Sequence, residues 1–364
     1  MVTKVDPSVV DDQVFSRRNL IINGDMRIAQ RGTTSTSANY QTVDRWRNGF
    51  GGATLTQSQQ ALTSGSPYDE GFRNFLRLTQ SGSSAAASDY VQIAQRIEGL
   101  TAATSGWNYK STSSKVTISF WVRSSLAGTY YIYMNTRSSS GDGYINAPFT
   151  LTADTWTKVT QSFSGNASNV NIDNDNTSGI EFRIVPYYGT NYTGGSISSN
   201  AWYFGTGSGE LPNFAQNWAA SSGATFDVTG VQLEVGSQAT PFEHRSFGEE
   251  LSLCQRYFYK EVRTSGALFG FVGFADNSTT AYIQHIYPVS MAGQPTLSTT
   301  GTAGDYSIRV TGNTLGCSSV PSLSSGNEHV SHVTYSVSSG LTGGQAVVGK
   351  FDAADVFLGF DAEL

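Results

Sequence analysis

The sequence predicts an all-β protein: a jelly-roll sandwich, followed by a short helix and a second, smaller β-domain. Three observations predict it. Segments of strand-like period two recur between clusters of Gly, Ser and Asn from residue 19 onward. Charged residues make up only 14% of the chain, against roughly 25% in an average globular protein. Aromatic residues are plentiful, with 18 Tyr, 20 Phe and 6 Trp, which excludes the high-charge, aromatic-poor composition of disorder. At roughly 150 residues per domain, 364 residues suggest two or three domains. The predicted division is an arm over 1–18, a jelly roll over 19–245, a linking helix over 246–259 and a C-terminal β-domain over 260–364.

Taken in order, residues 1–18 are polar and without period, with Asp11 and Asp12 ahead of Arg17 and Arg18. They read as an extended attachment arm or a frayed terminus. The clearest strand is Lys115–Arg123. Val116, Ile118, Phe120 and Val122 fall on one face, and Thr117, Ser119, Trp121 and Arg123 on the other. Tyr130–Met134 follows a turn at Ala127-Gly128 and completes a hairpin. Trp156–Phe163, Ile180–Val185 and Phe226–Val235 read as further strands, separated by loops such as Ser138–Gly143 and Asn171–Gly179. Many short strands so punctuated argue for a sandwich or jelly roll.

Ser246-Phe247-Gly248-Glu249 fits a capping box, and Leu251, Cys254 and Phe258 recur at helical spacing. A short amphipathic helix is therefore expected over Phe247–Tyr259, with Pro241 closing the sheet before it. Beyond Lys260, strands are expected over Ala267–Ala275, Thr280–Tyr287, Tyr306–Val310, Val330–Val337 and Val356–Phe360.

Charge and cysteine narrow the function. Lys and Arg total 22 and Asp and Glu 28, for a net charge of −6, and the pI is about 5.2. A duplex binder carries a basic stripe to displace counterions, so nucleic-acid binding is not expected. No run of about 18 apolar residues exists to span a membrane. The first ten residues lack the apolar core of a secretory signal, so synthesis in a cytosol is expected. Cys254 and Cys317 are the only cysteines, too few for a disulfide framework or a four-ligand zinc site.

At Asn19-Leu-Ile-Ile-Asn-Gly-Asp25, Ile28-Ala-Gln-Arg-Gly32 and Val43-Asp-Arg-Trp-Arg47 the chain resembles the opening of tailed-bacteriophage tail-fibre and minor virion proteins. Phe120-Trp-Val-Arg-Ser124 and Trp156-Thr-Lys-Val159 are similar to the same family. The closing stretch carries the likeness furthest: Val228-Thr-Gly-Val-Gln-Leu-Glu-Val-Gly236, Ala239-Thr-Pro-Phe-Glu-His-Arg245, Glu249-Glu-Leu251 and Cys254-Gln-Arg-Tyr257. The resemblance covers about residues 19–260. It implies a jelly roll similar to carbohydrate-binding modules, opening and closing with an Asn-Gly-Asp-like and a Val-Gln-Leu-Glu-like strand. It also implies a virion location and a homotrimer. The chain has no extended shaft, which favours a short fibre or a decoration. Read on their own residues, Ile21 and Ile22 lead into a positive-φ turn at Asn23-Gly24-Asp25. Val231, Leu233 and Val235 form a core face, while Gln232 and Glu234 face solvent or a neighbouring chain.

Sugar rings pack their C–H faces on flat aromatic rings, and their hydroxyls need short polar partners. Trp107, Tyr109, Tyr131, Tyr133, Tyr187, Tyr188, Trp202 and Tyr203 are aromatics outside the family-like motifs, most of them beside Asn, Ser or Gly. They are the candidate glycan contacts, against the alternative that they are core or trimer-contact rings. Trp46, Trp121 and Trp156 read as packing, and His244 as a packing residue at the helix entry. Asn171, Asp173, Asp175 and Thr177 place oxygens at alternate loop positions. Asp173 and Asp175 are thus candidate calcium ligands, against a loop that bonds to itself. In Glu328-His329-Val-Ser-His332 the histidines, three apart on a strand, face opposite sides and do not make a zinc pair. No catalytic motif stands out.

The leading expectation is a non-enzymatic phage virion protein. It would be a short trimeric tail fibre or receptor-binding protein that recognises a bacterial surface polysaccharide and is mounted through its arm on other virion proteins. The alternatives are a capsid or tail decoration without sugar binding, and a glycan-degrading tailspike.

Overall fold

The computed structural model describes residues 18–84, 86–168, 170–194, 197–204, 210–262 and 268–364, with side chains omitted at 268–271. The predicted arm therefore lies, except for Arg18, outside the described residues. The chain divides into two compact units, Met1–Ser246 with Leu364, and Phe247–Glu363.

Unit 1 carries β1 (Thr34–Ser35), β2 (Arg47–Gly51), β3 (Leu55–Ala61), β4 (Asn74–Gln80), β5 (Tyr90–Glu98) and β6 (Lys115–Ser124). It continues with β7 (Gly128–Thr136), β8 (Gly143–Leu151), β9 (Thr157–Ser164), β10 (Ser178–Tyr188), β11 (Tyr203–Phe204) and β12 (Thr225–Val235). Two short helical turns, α1 (Ser66–Asp69) and α2 (Gly99–Ala103), lie between strands. The strands form two antiparallel six-stranded sheets, in the orders β1-β3-β4-β12-β6-β9 and β11-β8-β7-β10-β5-β2. This is the expected β-sandwich.

Period two explains the layering. On β6, Val116, Ile118, Phe120 and Val122 are fully buried inward, while Trp121 and Arg123 lie on the outer face. On β7, Tyr130, Ile132 and Met134 point in. The sheets interlock through aromatic edges: Phe120 meets Phe149 at 5.6 Å and Phe182 at 6.2 Å, and Tyr130 meets Phe226 at 5.2 Å. Truncating such a ring to alanine typically costs about 3–5 kcal/mol.

The opening and closing motifs prove to be the two halves of a clasp. Residues 19–25 are not a strand but an irregular segment laid along β12 at its bulge between Thr229 and Gln232. The Asn19 amide donates to the Val231 carbonyl (3.2 Å), and its Oδ1 accepts from the Leu233 N–H (3.0 Å). The Arg245 guanidinium, almost wholly buried, donates to the Ile21 carbonyl (3.1 Å), the Asn19 carbonyl and Glu243. Gln232 and Glu234 are not at solvent or a neighbouring chain, as expected from alternation. Residues 240–243 cover them: Thr240 N–H donates to Glu234 (2.8 Å), and Glu243 N–H to the Gln232 Oε1 (2.8 Å). Asn23 adopts φ 57°, as its turn requires. Gly24 is needed for another reason, because a β-carbon there would overlap the Val231 carbonyl oxygen. Gly24→Ala is expected to cost about 2–3 kcal/mol by overpacking and to lower the melting temperature accordingly. An unchanged melting curve would remove the clasp from the stability account.

Unit 2 opens with α3 (Phe247–Gln255), followed by β13 (Phe258–Val262), β14 (Leu268–Ala275), β15 (Thr280–Ile286), β16 (Thr296–Thr299) and β17 (Tyr306–Val310). The rest are β18 (Asn313–Gly316), β19 (Ser322–Gly326), β20 (Val330–Ser336), β21 (Ala346–Phe351) and β22 (Phe357–Asp361). They make a three-stranded sheet, β13-β22-β16, and a seven-stranded one, β18-β17-β21-β14-β15-β20-β19. The helix ends four residues short of the expected Tyr259. Phe258–Val262 pairs instead with Phe357–Asp361, because an aromatic and β-branched run suits a pleated surface. Cys254 and Phe258, two of the three residues at helical spacing, are buried within the chain.

Candidate glycan-binding face

The outer face of the second sheet is built as three rungs crossing β8, β7 and β10. The first rung is Pro148, Tyr131 and Val185; the second is Asn146, Tyr133 and Arg183; the third is Tyr144, Asn135 and Glu181. The third rung extends onto β5, where Arg96 sits opposite Glu181.

The first rung is roofed by the chain after β10. Phe214 packs on Tyr131 (5.0 Å) and Tyr187 (5.7 Å), and Tyr192 packs on Tyr188 (5.6 Å) and Tyr90 (5.8 Å). Leu211 closes the same apolar cluster. The Tyr188 hydroxyl donates to the Gln92 side chain beneath this roof.

The second rung is a buried polar network. The rings of Tyr133, Tyr144 and Tyr203 stack in series at 5.9 and 5.7 Å. The Arg183 guanidinium lies over the Tyr133 ring at 4.9 Å and reaches Glu181 at 3.1 Å and Glu210 at 3.7 Å. Burial pushes the Tyr133 phenol far above its ordinary range and the Tyr203 phenol up to about 12. Both remain neutral hydroxyls at any physiological pH. Burial also raises the Glu210 carboxyl, against the pull of Arg183 and the Tyr133 hydroxyl.

In the third rung, Glu181 has no exposed side-chain surface and is held by Arg96 (3.3 Å), Arg137 (2.7 Å) and Arg183 (3.1 Å). Burial alone would raise its pKa, but the three guanidiniums outweigh it and hold the carboxyl at about 2. Beside Glu181, Asn135 is fully buried, and neither its Oδ1 nor its Nδ2 has a hydrogen-bond partner among the described residues. The Asn146 Nδ2 is likewise unpaired, while its Oδ1 accepts from Ser199 (2.9 Å). At the Arg96 and Arg137 end lies a cavity of about 380 Å³, also walled by Ser138, Asp142, Asp173 and Ser178. The Ser178 Oγ and Arg137 Nε are buried without hydrogen-bond partners among the described residues. Buried polar groups are nearly always paired, so these atoms call for a water or a polar ligand group as partner.

The candidate aromatics are thus brought only partly together. Tyr131, Tyr133, Tyr188 and Tyr203 share this face, with Tyr131, Tyr133 and Tyr188 buried under the roof. Tyr187 is buried against the core and Phe214. Trp107 is a core residue at 2% exposure and offers no ring face to a ligand. Tyr109 and Trp202 pack on the same core from its rim, Trp202 donating to the Ser164 carbonyl (2.6 Å). Sequence reasoning missed Tyr144, Asn135, Asn146 and Arg183. One signal was legible: Asn135 continues the outward series Tyr131, Tyr133, and asparagine is depleted in strands.

The candidate calcium loop uses its oxygens on its own chain. Asp173 accepts from Ser138 Oγ (2.8 Å) and Ser139 N–H (2.7 Å), and Asp175 from Thr177 N–H (2.9 Å). The Asp175 and Thr177 carbonyls accept from Leu100 and Gly99 at α2.

No protein-family model and no curated protein matches the chain. Among solved structures it is similar to the enzymatically active domain of tailspike protein 4 of bacteriophage CBA120, at 9% identity and a TM-score of 0.33, over 60% of this chain and 21% of that one. It is similar to a family 4 carbohydrate-binding module at 13% identity and a TM-score of 0.31, over 59% of this chain and 98% of the other. A putative sugar-binding protein from Bacteroides thetaiotaomicron aligns over 60% of this chain and all of its own length, at 14% identity and a TM-score of 0.31. The two-sheet architecture itself stands on this chain's strand order and register.

Proposed function

We propose that the protein is a non-catalytic virion protein of a tailed bacteriophage, a short tail fibre or receptor-binding protein whose unit 1 recognises a bacterial surface glycan on the outer face of the second sheet. The observation that carries this reading is the unpaired Asn135 amide in the third rung. Half-exposed Tyr144 lies beside it, and the polar cavity opens at the Arg96 and Arg137 end of the same rung. A sugar presents C–H faces to a tyrosine ring and hydroxyls that both donate to and accept from an amide. The non-catalytic part of this reading is supported by Glu181 to this extent: a carboxyl held ionised by three arginines cannot itself serve as a general acid near neutral pH.

The family-like motifs support the virion setting, with the arm over 1–18 docking on other particle proteins. Self-association as a homotrimer is supported by the seven-stranded sheet of unit 2, which exposes Val272, Phe274 and Ile286. Sedimentation equilibrium is expected to give three times the 39.0 kDa chain mass; a monomer at micromolar concentration would contradict the trimer. Several weak contacts on one particle then add through effective concentration.

The test is an array of bacterial surface polysaccharides probed with the intact protein, where saturable binding to at least one is expected. A second reading, a decoration that binds no sugar, is favoured by the roof that buries Tyr131, Tyr133 and Tyr188. Silence across the array, with the protein still attached to particles, would select it.

A further inference from the structure

The closing segment 239–245 has two sides. Glu243 and Arg245 turn inward into the clasp, and the Thr240 hydroxyl donates to Glu234 from the edge between the two sides. Ala239, Pro241, Phe242 and His244 turn outward and, with Thr240, Glu70, Lys158 and Thr160, line a groove of about 580 Å³ on the outer face of the first sheet. The geometry points to this groove as a second binding site, independent of the one proposed above, that takes a neutral pyranose sugar.

Size and wall chemistry set the class. The volume falls within the range of small-molecule sites, roughly 300–1,000 Å³. One wall is apolar and aromatic, Pro241 and Phe242; the other is polar, Glu70, Lys158 and Thr160. The polar wall is a single ion pair, Lys158 Nζ to Glu70 Oε2 at 2.9 Å, with both side chains more than a third exposed. Two adjacent sugar hydroxyls can donate to the carboxylate and accept from the ammonium at once, leaving the pair intact. An anionic or cationic ligand would instead compete with one partner for the other.

The groove is also held in place beforehand. The Trp121 Nε1–H donates to Glu70 at 3.1 Å, and the Lys158 ammonium lies 5.6 Å from the Trp121 ring. Burial pushes the Glu70 carboxyl up, but Lys158 and the Trp121 N–H outweigh it and keep it below its ordinary value. The Phe242 ring is fixed edge-on to Phe72 (4.9 Å) and beside His244 (4.9 Å), whose Nε2 lies 3.2 Å from the Glu70 carbonyl. Fixed walls reduce the ordering cost of binding.

Saturation-transfer NMR on the intact protein, with methyl glycosides of glucose, galactose, mannose and N-acetylglucosamine, and with glucuronate, tests this. At least one neutral glycoside is expected to give a saturable signal. Its Kd should rise at least fivefold in Lys158→Met and in Thr160→Trp, and stay unchanged in Asn135→Leu. Thr160 is exposed, so filling the groove from that position leaves the core untouched, and an unchanged melting temperature confirms it. The proposal is overturned if no neutral glycoside binds at millimolar concentration, or if glucuronate binds more tightly than all of them. It is also overturned if binding is lost in Asn135→Leu but not in the two groove variants.

Discussion

Asn135→Leu is expected to weaken glycan binding at least tenfold while leaving the melting temperature unchanged or raising it by a few degrees. A buried amide without partners carries a desolvation penalty of about 1–3 kcal/mol. Leucine keeps the branched outline and the heavy-atom count, with somewhat bulkier methyl groups, and removes that penalty. A gain of about 1 kcal/mol corresponds to roughly 2–4 °C for a domain of this size. The same exchange deletes the donor and acceptor that a sugar hydroxyl would use, and a tenfold loss is about 1.4 kcal/mol. Differential scanning calorimetry and titration with an array-positive glycan read the two effects separately. A melting temperature lowered by many degrees would mean that the amide is satisfied within the protein, and would remove the observation that nominates this face.

Glu181→Gln is expected to have the largest effect on stability. Glu181 balances Arg183, which is nearly buried, and partly balances Arg96 and Arg137. Removing one partner of a buried ion pair typically costs about 3–5 kcal/mol, because the remaining charge is left uncompensated. The pH dependence has a definite sign. The folded-state pKa is depressed from 4.5 to about 2, so the stabilisation is complete above about pH 4.5 and is lost as pH falls towards 2. Linkage makes this about 3 kcal/mol. Urea denaturation should show a wide stability gap between wild type and Glu181→Gln at pH 7 that narrows progressively below pH 4.5. A gap that stays constant down to pH 2.5 would show that Glu181 is not held ionised by its arginines.

The sandwich was legible where one face of a strand is apolar and the other polar. Lys115–Arg123 alternates cleanly, and its four inward residues are fully buried. Tyr90–Glu98 escaped the same reading because its outer face is covered as well. Gln92 on that face and Gln95 on the inner one are both buried and hydrogen-bonded, to Tyr188 and to the Ile22 backbone, so polarity along this strand does not mean exposure. The family-like motifs were legible as letters, but their role was not. Asn19 and Arg245 lie more than two hundred residues apart, and only the folded chain shows that they close one clasp. The candidate site was half legible: Tyr131 and Tyr133 share a strand face, as period two requires, but local sequence does not disclose that Leu211 and Phe214 roof it. Trp107 was misleading for a related reason, since its polar neighbours say nothing of the core behind it.

A crystal structure of the protein soaked with an array-positive oligosaccharide decides whether this face of the second sheet holds the sugar. A sugar is expected against the exposed edge of the Tyr144 ring, whose faces are taken by Tyr133 and Tyr203, with a hydroxyl within hydrogen-bond distance of the Asn135 amide. A bound oligosaccharide that contacts neither residue, with Asn135 still buried and unpaired beneath it, would contradict the account.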